Sequence, residues 1–332
     1  MKVTLKDIAE DTGLSISTVS RALKGTGQIS SANEKKIFES AQKLHYPLNN
    51  RRTPINLKSS IHVAIITKFN SGEFYSSFFS GFNNAATSTN INFGLYNIYN
   101  RDVDIVDYIN ELRRQNFDAA VIFLSSLTEA DYKRILDEVP LEFPLISAAP
   151  IATPVMDTIT FDNYRGGHLV AKHFIERGYR KFGVLSGLIK KSEVLLRKSG
   201  FIDYITNFED AEIVWDYEGD YTNETGYWAF NEFEKLAEKP RAIFSFNDSM
   251  AFSFMQMAQR KGLNIPEDIA IAGYDDLPNC QLYHPTLTSV RTDYTNLGRL
   301  VLDHLQKRLT ETKNHNGYTN LIPVSLSVRE ST

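Results

Sequence analysis

The sequence has one cysteine, no long apolar run and little glycine or proline, and each shortage excludes a class of protein. Cys280 cannot form an internal disulfide, so a disulfide-stapled secreted scaffold is excluded and a reducing, cytoplasmic location is expected. No apolar stretch approaches the roughly 18 residues that a membrane helix needs. With 18 Gly and 11 Pro in 332 residues, the chain is neither collagenous nor of low complexity. The length predicts two or three soluble domains.

Common enzyme motifs are also missing. The segment Gly183-Val184-Leu185-Ser186-Gly187 places two residues between the first glycine and the serine, where a nucleophile elbow has one. There is no Walker loop and no Gly-x-Gly-x-x-Gly fingerprint. His168 and His173 are five residues apart rather than four, which places them on different faces of a helix. We therefore expect no enzymatic activity, no cofactor and no metal site.

Charge is distributed unevenly along the chain. The formal net charge is -4, but residues 1–60 hold ten Lys and Arg against five Asp and Glu, a net of +5. The remainder carries a net of -9. A basic module on an acidic body suits a nucleic-acid reader with a separate sensing domain, because phosphate contacts supply sequence-independent affinity. A chance bias in a small subdomain is the alternative.

The first sixty residues predict three short helices. Thr4 and Asp7 form a capping box before a helix from about 5 to 11, and Gly13 allows a tight turn. A second helix begins after Ser15, and a second capping box at 31–34 opens the third. Two helices joined through a glycine turn and braced by a third form a helix-turn-helix, in which the second helix enters the major groove. A three-helix cap without a ligand remains the alternative.

The exposed face of the second helix carries the candidate DNA contacts. Arg21 can donate two bonds to guanine, while Ser17 and Ile16 can discriminate through a hydroxyl contact and a thymine-methyl contact. Thr18 and Ser20 lie on the same helix. Side chains suited to phosphates, which fix register without reading sequence, are Thr4, Ser15, Ser30, Lys24 and Gln28.

The N-terminal region resembles the headpiece of the lactose-repressor and galactose-repressor (LacI/GalR) family of transcriptional regulators. The resemblance rests on Val3-Thr4-Leu5-Lys6-Asp7-Ile8-Ala9-Glu10 and Gly13-Leu14-Ser15-Ile16-Ser17-Thr18-Val19-Ser20-Arg21-Ala22-Leu23, and it continues to Tyr46. It implies a dimeric repressor that reads a pseudo-palindromic operator through Ile16, Ser17 and Arg21. It also implies a hinge helix that inserts into the minor groove.

The hinge departs from the family pattern. Arg52 replaces an alanine and Ile55 replaces the intercalating leucine, and Pro54 lies between them. Proline inside a helix costs roughly 3 kcal/mol, so the hinge helix is in doubt. Arg51 and Arg52 either lie along the minor groove or its phosphates, or belong to a solvated linker.

From His62 onward, short apolar runs alternate with amphipathic stretches, which predicts βα units, parallel sheets and two similar lobes. We predict strands at 63–66, 119–124, 145–148, 182–185, 242–246 and 269–272. Ligands of such sheets bind beyond the carboxyl ends of the strands. Polar and aromatic residues at these ends suit a sugar: Phe74-Tyr75, Ser125-Ser126, Phe161-Asp162, Arg197, Tyr221, Asn247-Asp248 and Asp275-Asp276. Asp248 is expected to cap the following helix, and Asp276 a turn before Pro278.

The body also resembles the family, through motifs such as Asn247-Asp248-Ser249-Met250-Ala251 and Gly273-Tyr274-Asp275-Asp276. The resemblance implies that Arg197, Asn247 and Asp275 hold effector hydroxyls, that Tyr221 takes the stacking position, and that Thr292 and Tyr294 line the cleft. Two positions differ: Ala149-Pro150 stands where many relatives have Asp-Arg, and Glu193 stands where a small hydroxyl residue is frequent. The sugar therefore cannot be transferred from relatives. No leucine-heptad tail follows Glu330, which implies a dimer rather than a tetramer.

Together these features predict an α/β protein with a headpiece (1–47), a hinge or linker (48–60) and an effector-binding core (61–332). The lobes are expected at about 61–160 with 291–322, and at about 161–290 with 323–332. The function expected is a DNA-binding repressor, controlled allosterically by a sugar, sugar phosphate or related metabolite and not associated with a membrane. Two alternatives stay open: a solute-binding protein of the same core fold, which predicts an export signal and no basic front, and a sugar-modifying α/β enzyme.

Overall fold

The computed structural model describes residues 3–24, 29–46, 60–69, 72–98, 104–153, 155–310 and 317–332. Its N-terminal part is a bundle of three helices: α1 (Leu5–Thr12), α2 (Ile16–Lys24) and α3 (Ser31–Lys43). Their apolar faces meet in a small core that includes Ile8, Val19 and Ile37, each with no exposed surface. Gly13 adopts φ 69° at the turn between α1 and α2, a left-handed conformation that glycine reaches without strain.

The start of α3 differs from the expected capping box at 31–34. Ser30, not Ser31, is the N-cap, and its hydroxyl accepts a hydrogen bond from the Asn33 N–H at 3.4 Å. Serine is a favoured N-cap residue, so the sequence allows either Ser30 or Ser31 as the cap. The backbone conformation identifies Ser30, which is extended (φ -62°, ψ 144°) as an N-cap residue typically is. The cap at Thr4 is the predicted one, since its backbone N–H donates to Asp7 Oδ2 at 2.7 Å.

The rest of the chain folds into two α/β lobes. The first lobe consists of β1 (Ile61–Thr67), α4 (Glu73–Ala86), β2 (Ile91–Asn97), α5 (Ile105–Arg114), β3 (Ala119–Phe123), α6 (Glu129–Glu138), β4 (Leu145–Ser147) and β5 (Thr158–Phe161), with α11 (Tyr294–Thr310) and β11 (Thr319–Ile322). Its sheet has the order β11-β5-β4-β3-β1-β2, and every pairing is parallel. Helices on both faces cover it, as a sheet built of apolar strands requires.

The second lobe consists of α7 (Asn163–Glu176), β6 (Lys181–Ser186), α8 (Ser192–Ile205), β7 (Glu212–Glu218), α9 (Asn223–Glu234), β8 (Ala242–Ser245), α10 (Asp248–Arg260), β9 (Ala270–Asp275) and β10 (Thr288–Arg291), with β12 (Ser325–Ser327). Its sheet has the order β12-β10-β9-β8-β6-β7. The other pairings in this sheet are parallel, as predicted, and the edge strand β12 is antiparallel to β10. The chain passes between the lobes after β5, after β10 and after β11.

Close helix packing places the second-lobe site. Helices α7 and α8 cross through two glycines: a Cβ on Gly200 would lie 1.9 Å from the Tyr164 carbonyl oxygen, and one on Gly167 would lie 1.9 Å from that of Arg197. Only glycine permits this approach. It brings α8, which carries Glu193 and Arg197, against the start of α7. Among the described residues, no helix combines the length and apolarity needed to cross a membrane.

Candidate functional sites

Helix α2 presents one face to the headpiece core and the other to the outside. Val19 and Ala22 are buried, and Leu23 packs against the same core. Ile16, Ser17 and Arg21 lie outside this core, and Ser17 and Arg21 share one side of the helix because they are four residues apart. All three are exposed, and 49% of the Ile16 surface is accessible, which is unusual for an isoleucine. This face can therefore meet a partner without any rearrangement of the headpiece.

The first turn of α2 is held by hydroxyl groups. The Thr18 N–H donates to Ser15 Oγ at 3.1 Å, so Ser15 caps the helix. The Ser15 hydroxyl also lies 2.8 Å from that of Ser17 and 2.7 Å from that of Thr18. Arg21 Nε donates to the Ser17 carbonyl at 3.3 Å, which directs the arginine along the exposed face. A helix N-terminus lined with hydroxyls and free of acidic residues is compatible with a phosphate backbone.

The other candidate DNA-contacting residues differ in exposure and in their hydrogen bonds. Thr4 is exposed, and its hydroxyl donates to Asp7 Oδ2 at 2.8 Å. Ser30 is exposed but serves as the N-cap of α3, and Ser20 is half-buried. Lys24 is the last residue of α2. Gln28, Arg51, Arg52 and Ile55 lie outside the described residues, and so does the whole hinge segment 48–60 except its last residue.

A cavity of about 470 Å³ lies between the two lobes. Its walls come from both lobes and are formed largely by residues at or beyond the carboxyl ends of β1, β3, β4, β5, β7, β8, β9 and β10. The volume lies in the range of small-molecule sites. Its position is the one that open parallel sheets favour, because the loops after the strands diverge there.

The first-lobe wall of the cavity is mainly aromatic. The rings of Phe74 and Phe123 have centroids 5.8 Å apart, and those of Phe78 and Phe123 are 4.5 Å apart. Tyr294 packs edge-on against Phe161, with centroids 5.6 Å apart. Such clusters hold ring faces and edges in fixed orientations. This wall can cover the apolar face of a ligand ring.

The second-lobe wall is polar and centres on Arg197. Its Nε donates to Asn163 Oδ1 at 2.9 Å, its Nη1 donates to the Phe246 carbonyl, and its guanidinium lies 3.5 Å from the ring centroid of Tyr274. These contacts fix the side chain before any ligand binds. A pre-oriented guanidinium can donate to ligand hydroxyls without losing further side-chain entropy.

Helix α10 is capped by Asn247 rather than by Asp248. Asn247 is the N-cap of α10: its Oδ1 accepts from the Met250 N–H at 3.0 Å, and its Nδ2 donates to the Tyr221 carbonyl at 2.9 Å. The expectation that Asp248 caps this helix is wrong. Asp248 is fully buried, and its carboxylate accepts from the Leu277 N–H at 2.9 Å and from the Ser289 hydroxyl at 2.6 Å.

Asp276 also differs from its expected role as a turn cap. Its Oδ1 accepts from Arg329 Nη2 at 2.6 Å, and its Oδ2 accepts from the Ser327 hydroxyl at 2.7 Å. Both partners lie about fifty residues further along the chain, in and after β12. Asp276 therefore ties the antiparallel edge strand to the end of β9 and faces away from the cavity, which it does not line.

Asp275 occupies a strained position at the end of β9. Its φ is 114°, a conformation that side-chain-bearing residues rarely adopt and that is concentrated at functional sites. The Tyr294 hydroxyl donates to its Oδ1 at 3.3 Å, and the Thr292 hydroxyl donates to its carbonyl oxygen at 3.0 Å. Burial raises the pKa of the Asp275 carboxyl well above its usual value, although the Arg197 charge opposes the shift.

Tyr221, Glu193 and Lys191 form one corner of the cavity. Tyr221 has φ 74° and fills the space beside Gly187, where a Cβ would lie 2.4 Å from the tyrosine ring. The Lys191 ammonium lies 4.8 Å from the centroid of the same ring, and burial lowers the pKa of this lysine. Within the described part of the chain, Glu193 Oε2 and the Tyr221 hydroxyl are buried without a hydrogen-bond partner.

The structure brings ten of the eleven candidate effector residues to this single cavity: Phe74, Tyr75, Phe161, Glu193, Arg197, Tyr221, Asn247, Asp275, Thr292 and Tyr294. Ser126 is the exception. It is exposed in the turn after β3, and its neighbour Ser125 lines the cavity instead, because successive side chains in a turn point in different directions.

Sequence reasoning missed other lining residues, including Phe123, Asn163, Lys191 and Asp220. Asn163 directly follows the pair Phe161-Asp162 and Asp220 directly precedes Tyr221, so a window one residue wider would have found both. Among the residues that the structure describes, no group of three His, Cys, Asp or Glu side chains is placed to hold a metal ion.

Comparison with known proteins gives the same two-part organisation. Residues 4–49 match a family model described as bacterial regulatory proteins of the lacI family, and residues 171–332 match one described as a periplasmic binding protein-like domain. A protein of Photobacterium profundum named HTH-type transcriptional repressor PurR is 25% identical over 332 residues, which cover 99% of this chain and 98% of the relative.

Solved structures share the fold of the whole chain. The crystal structure of the Lac repressor dimer bound to operator and the anti-inducer ONPF has a TM-score of 0.74 and 23% identity, and the match covers 100% of this chain and 99% of that one. The complex of the transcriptional regulator CelR with cellobiose has a TM-score of 0.72 and 23% identity, and the match covers 100% of both chains.

Proposed function

We propose that the chain is a DNA-binding regulator and that it represses transcription under the control of a small carbohydrate bound between the lobes. The matches of its N-terminal part to the lacI family model and of its C-terminal half to a periplasmic-binding-protein-like domain support the proposal. One observation carries the proposal. The same chain holds an exposed helix face that carries the candidate base-reading residues and a two-sided cavity in a separate part of the fold. A regulator needs both parts, whereas a solute-binding protein or an enzyme has no use for the first.

The headpiece supports the DNA-reading half of the proposal. Ile16, Ser17 and Arg21 are exposed on α2, and Ser15 and Thr18 line its N-terminus. We propose that the three exposed residues contact base edges and that Thr4, Ser15, Thr18, Ser20, Lys24, Gln28 and Ser30 contact the DNA backbone. A homodimer would present two such helices to the two halves of a pseudo-palindromic operator. The relative named as a repressor supports repression as the outcome.

The cavity supports a carbohydrate as the effector. A sugar ring has apolar faces that stack on aromatic rings and hydroxyls that pair with Asp, Asn and Arg. The first-lobe wall provides the rings of Phe74, Phe161 and Tyr294, and the second-lobe wall provides Arg197 and Asp275. The cellobiose complex of a protein with the same fold agrees with this class of ligand.

Selection from a pool of randomised DNA duplexes tests the proposal most directly. The full-length protein is expected to enrich a site with two symmetric half-sites. Arg21→Ala is expected to lose the guanine preference at one position of each half-site, because a bidentate arginine contributes about 1–3 kcal/mol of discrimination. Lys35→Ala, which removes an exposed cation from α3, is the matched control and should enrich the same site.

A parallel thermal-shift screen of sugars on the same preparation tests the effector half. Binding in the cavity is expected to raise the melting temperature, because a ligand that binds only the folded state stabilises it. Enrichment of no symmetric site, or an unchanged site for Arg21→Ala, would contradict the assignment of α2. If no sugar in the screen shifts the melting temperature, the proposal of a carbohydrate effector is contradicted.

A further inference from the structure

Glu193 is a buried acidic residue of the cavity wall with a carboxylate oxygen that lacks a hydrogen-bond partner among the described residues. It lies in the first turn of α8 with only 9% of its surface exposed. Within the described chain, its Oε2 atom is buried and accepts no hydrogen bond. Buried carboxylates in proteins are normally paired, because removal of the charge from water is costly. A buried acceptor that faces a ligand cavity and lacks a partner is therefore suited to a donor supplied by the ligand.

The neighbouring cations are turned to other partners. Arg197 donates to Asn163 and to the Phe246 carbonyl and lies over the Tyr274 ring. The ammonium of Lys191 lies over the ring of Tyr221. The Tyr221 hydroxyl, which is also unpartnered, carries a pKa raised by burial first and by the charge of Glu193 second. The charges of Lys191 and Arg197 attract that of Glu193, but no hydrogen bond reaches its Oε2 within the described chain. Within that part of the chain, the corner therefore holds one buried carboxylate oxygen and one hydroxyl without hydrogen-bond partners.

The cavity as a whole is richer in acids than in bases. Four carboxylates line it and two cations do: Glu193, Asp220, Glu224 and Asp275 against Lys191 and Arg197. Asp220 is already satisfied, because the hydroxyls of Thr222 and Thr225 donate to its Oδ1 at 2.6 and 2.5 Å. A phosphate or carboxylate on the ligand would add a further negative charge to this wall, which electrostatic repulsion opposes.

We propose that Glu193 is a specificity-determining residue that selects an effector bearing a protonated amino group, such as an amino sugar, over its neutral or phosphorylated counterparts. The inference rests on the proposed function, since it assumes a carbohydrate in the cavity. A ligand hydroxyl could donate a hydrogen bond to Oε2 but would not neutralise the charge of the carboxylate. An ammonium group would donate the hydrogen bond and also supply a positive charge, and its hydrogen bond to a carboxylate is roughly twice as strong as one between neutral groups.

Calorimetric titration of the full-length protein with matched sugars tests the inference at about pH 7. The probes are glucosamine against glucose, galactosamine against galactose, and glucose 6-phosphate. We expect the aminated member of at least one pair to bind about tenfold or more tightly than its neutral partner, a difference that one charge-assisted hydrogen bond supplies. Glucose 6-phosphate should bind more weakly than glucose.

Glu193→Gln keeps the size of the side chain and removes its charge. We expect the ratio of aminated to neutral affinity to fall towards one in this variant. Glu209→Gln makes the same chemical change at an exposed site of the same lobe and should leave the ratio unchanged.

The outcomes separate this inference from the proposed function. Equal binding within each pair, tighter binding of the phosphate, or an unchanged ratio in Glu193→Gln would overturn the role of Glu193 and leave a carbohydrate effector standing. Failure of all these sugars to bind, charged or neutral, would contradict the carbohydrate effector itself.

Discussion

Asn247 and Asp248 are adjacent in the chain, yet the fold places them in opposite environments. Asn247 caps α10 at the cavity wall, while Asp248 points into the lobe and receives hydrogen bonds from Leu277, Ser289 and Cys280. Three donors on one carboxylate compensate part of the cost of its burial. They do not compensate all of it, because desolvation still raises the pKa of Asp248 to about 7.

This raised pKa predicts a pH dependence of stability. The folded protein keeps the Asp248 proton up to about pH 7, whereas the unfolded chain loses it near its ordinary value of about 4. The free energy of unfolding should therefore fall as pH rises between these values, by at most about 1.4 kcal/mol per pH unit from this group. Above about pH 7 its contribution should be constant.

Urea denaturation at a series of pH values between about 5 and 8 measures this slope. Asp248→Asn should reduce the decline, because asparagine does not titrate. Asp303→Asn, at an exposed position on α11, is the control and should keep the wild-type slope. The same decline in both variants would show that Asp248 is not its source.

At the scale of elements, the packing of α7 on α8 determines the polar wall of the cavity. The two helices approach through Gly167 and Gly200, and Arg197 lies one turn before Gly200 on α8. The arginine reaches Asn163, at the start of α7, because of this close approach. Anything that separates the helices must therefore move the guanidinium away from its partners.

Gly200→Ala is expected to destabilise the protein and to weaken effector binding together. The new Cβ would lie 1.9 Å from the Tyr164 carbonyl oxygen, so the helices must shift, at a cost of roughly 1–3 kcal/mol or more. Chemical denaturation and ligand-induced melting shifts measure the two effects. Ser199→Ala, at the adjacent exposed position, should leave both unchanged. Equal stability of the two variants would contradict the packing argument.

The sequence predicted some elements and missed others for identifiable reasons. The six predicted strands are present because their residues are buried on both faces and read as continuous apolar runs. The strand β7 was missed because it lies at a sheet edge and is mostly half-exposed, so its pattern is mixed. The strands β11 and β12 are short and partly exposed, and only pairing with distant strands defines them.

In the cavity too, features set by local sequence could be predicted, whereas features set by distant contacts could not. Residues such as Arg197 and Asp275 could be predicted because they follow strand ends, where parallel sheets bind ligands. The missing partner of Glu193 Oε2 could not be predicted, since it depends on how Arg197 and Lys191 are turned. The burial of Asp248 depends on Ser289, forty-one residues away in the chain, which local propensity does not reveal.

At the scale of the whole molecule, the two lobes are joined in a way that suits a change of relative orientation. Three chain crossings connect them. Hydrogen bonds also span the gap near the cavity, such as the Asn279 N–H donating to Glu73 Oε2 at 3.3 Å and the Tyr294 hydroxyl donating to Asp275. A ligand that contacts both walls stabilises one orientation, and in a dimer this would alter the spacing of the headpieces.

Operator affinity of the full-length protein, with and without saturating cavity ligand, tests this coupling most directly. The ligand is the sugar that gives the largest melting shift, and anisotropy of a labelled operator duplex gives the affinity. The account predicts a change of about 5- to 150-fold. Asp275→Asn, which retains a residue tolerant of positive φ but removes the carboxylate, should bind operator without this response. Identical operator affinity of the wild-type protein with and without saturating ligand would contradict the account.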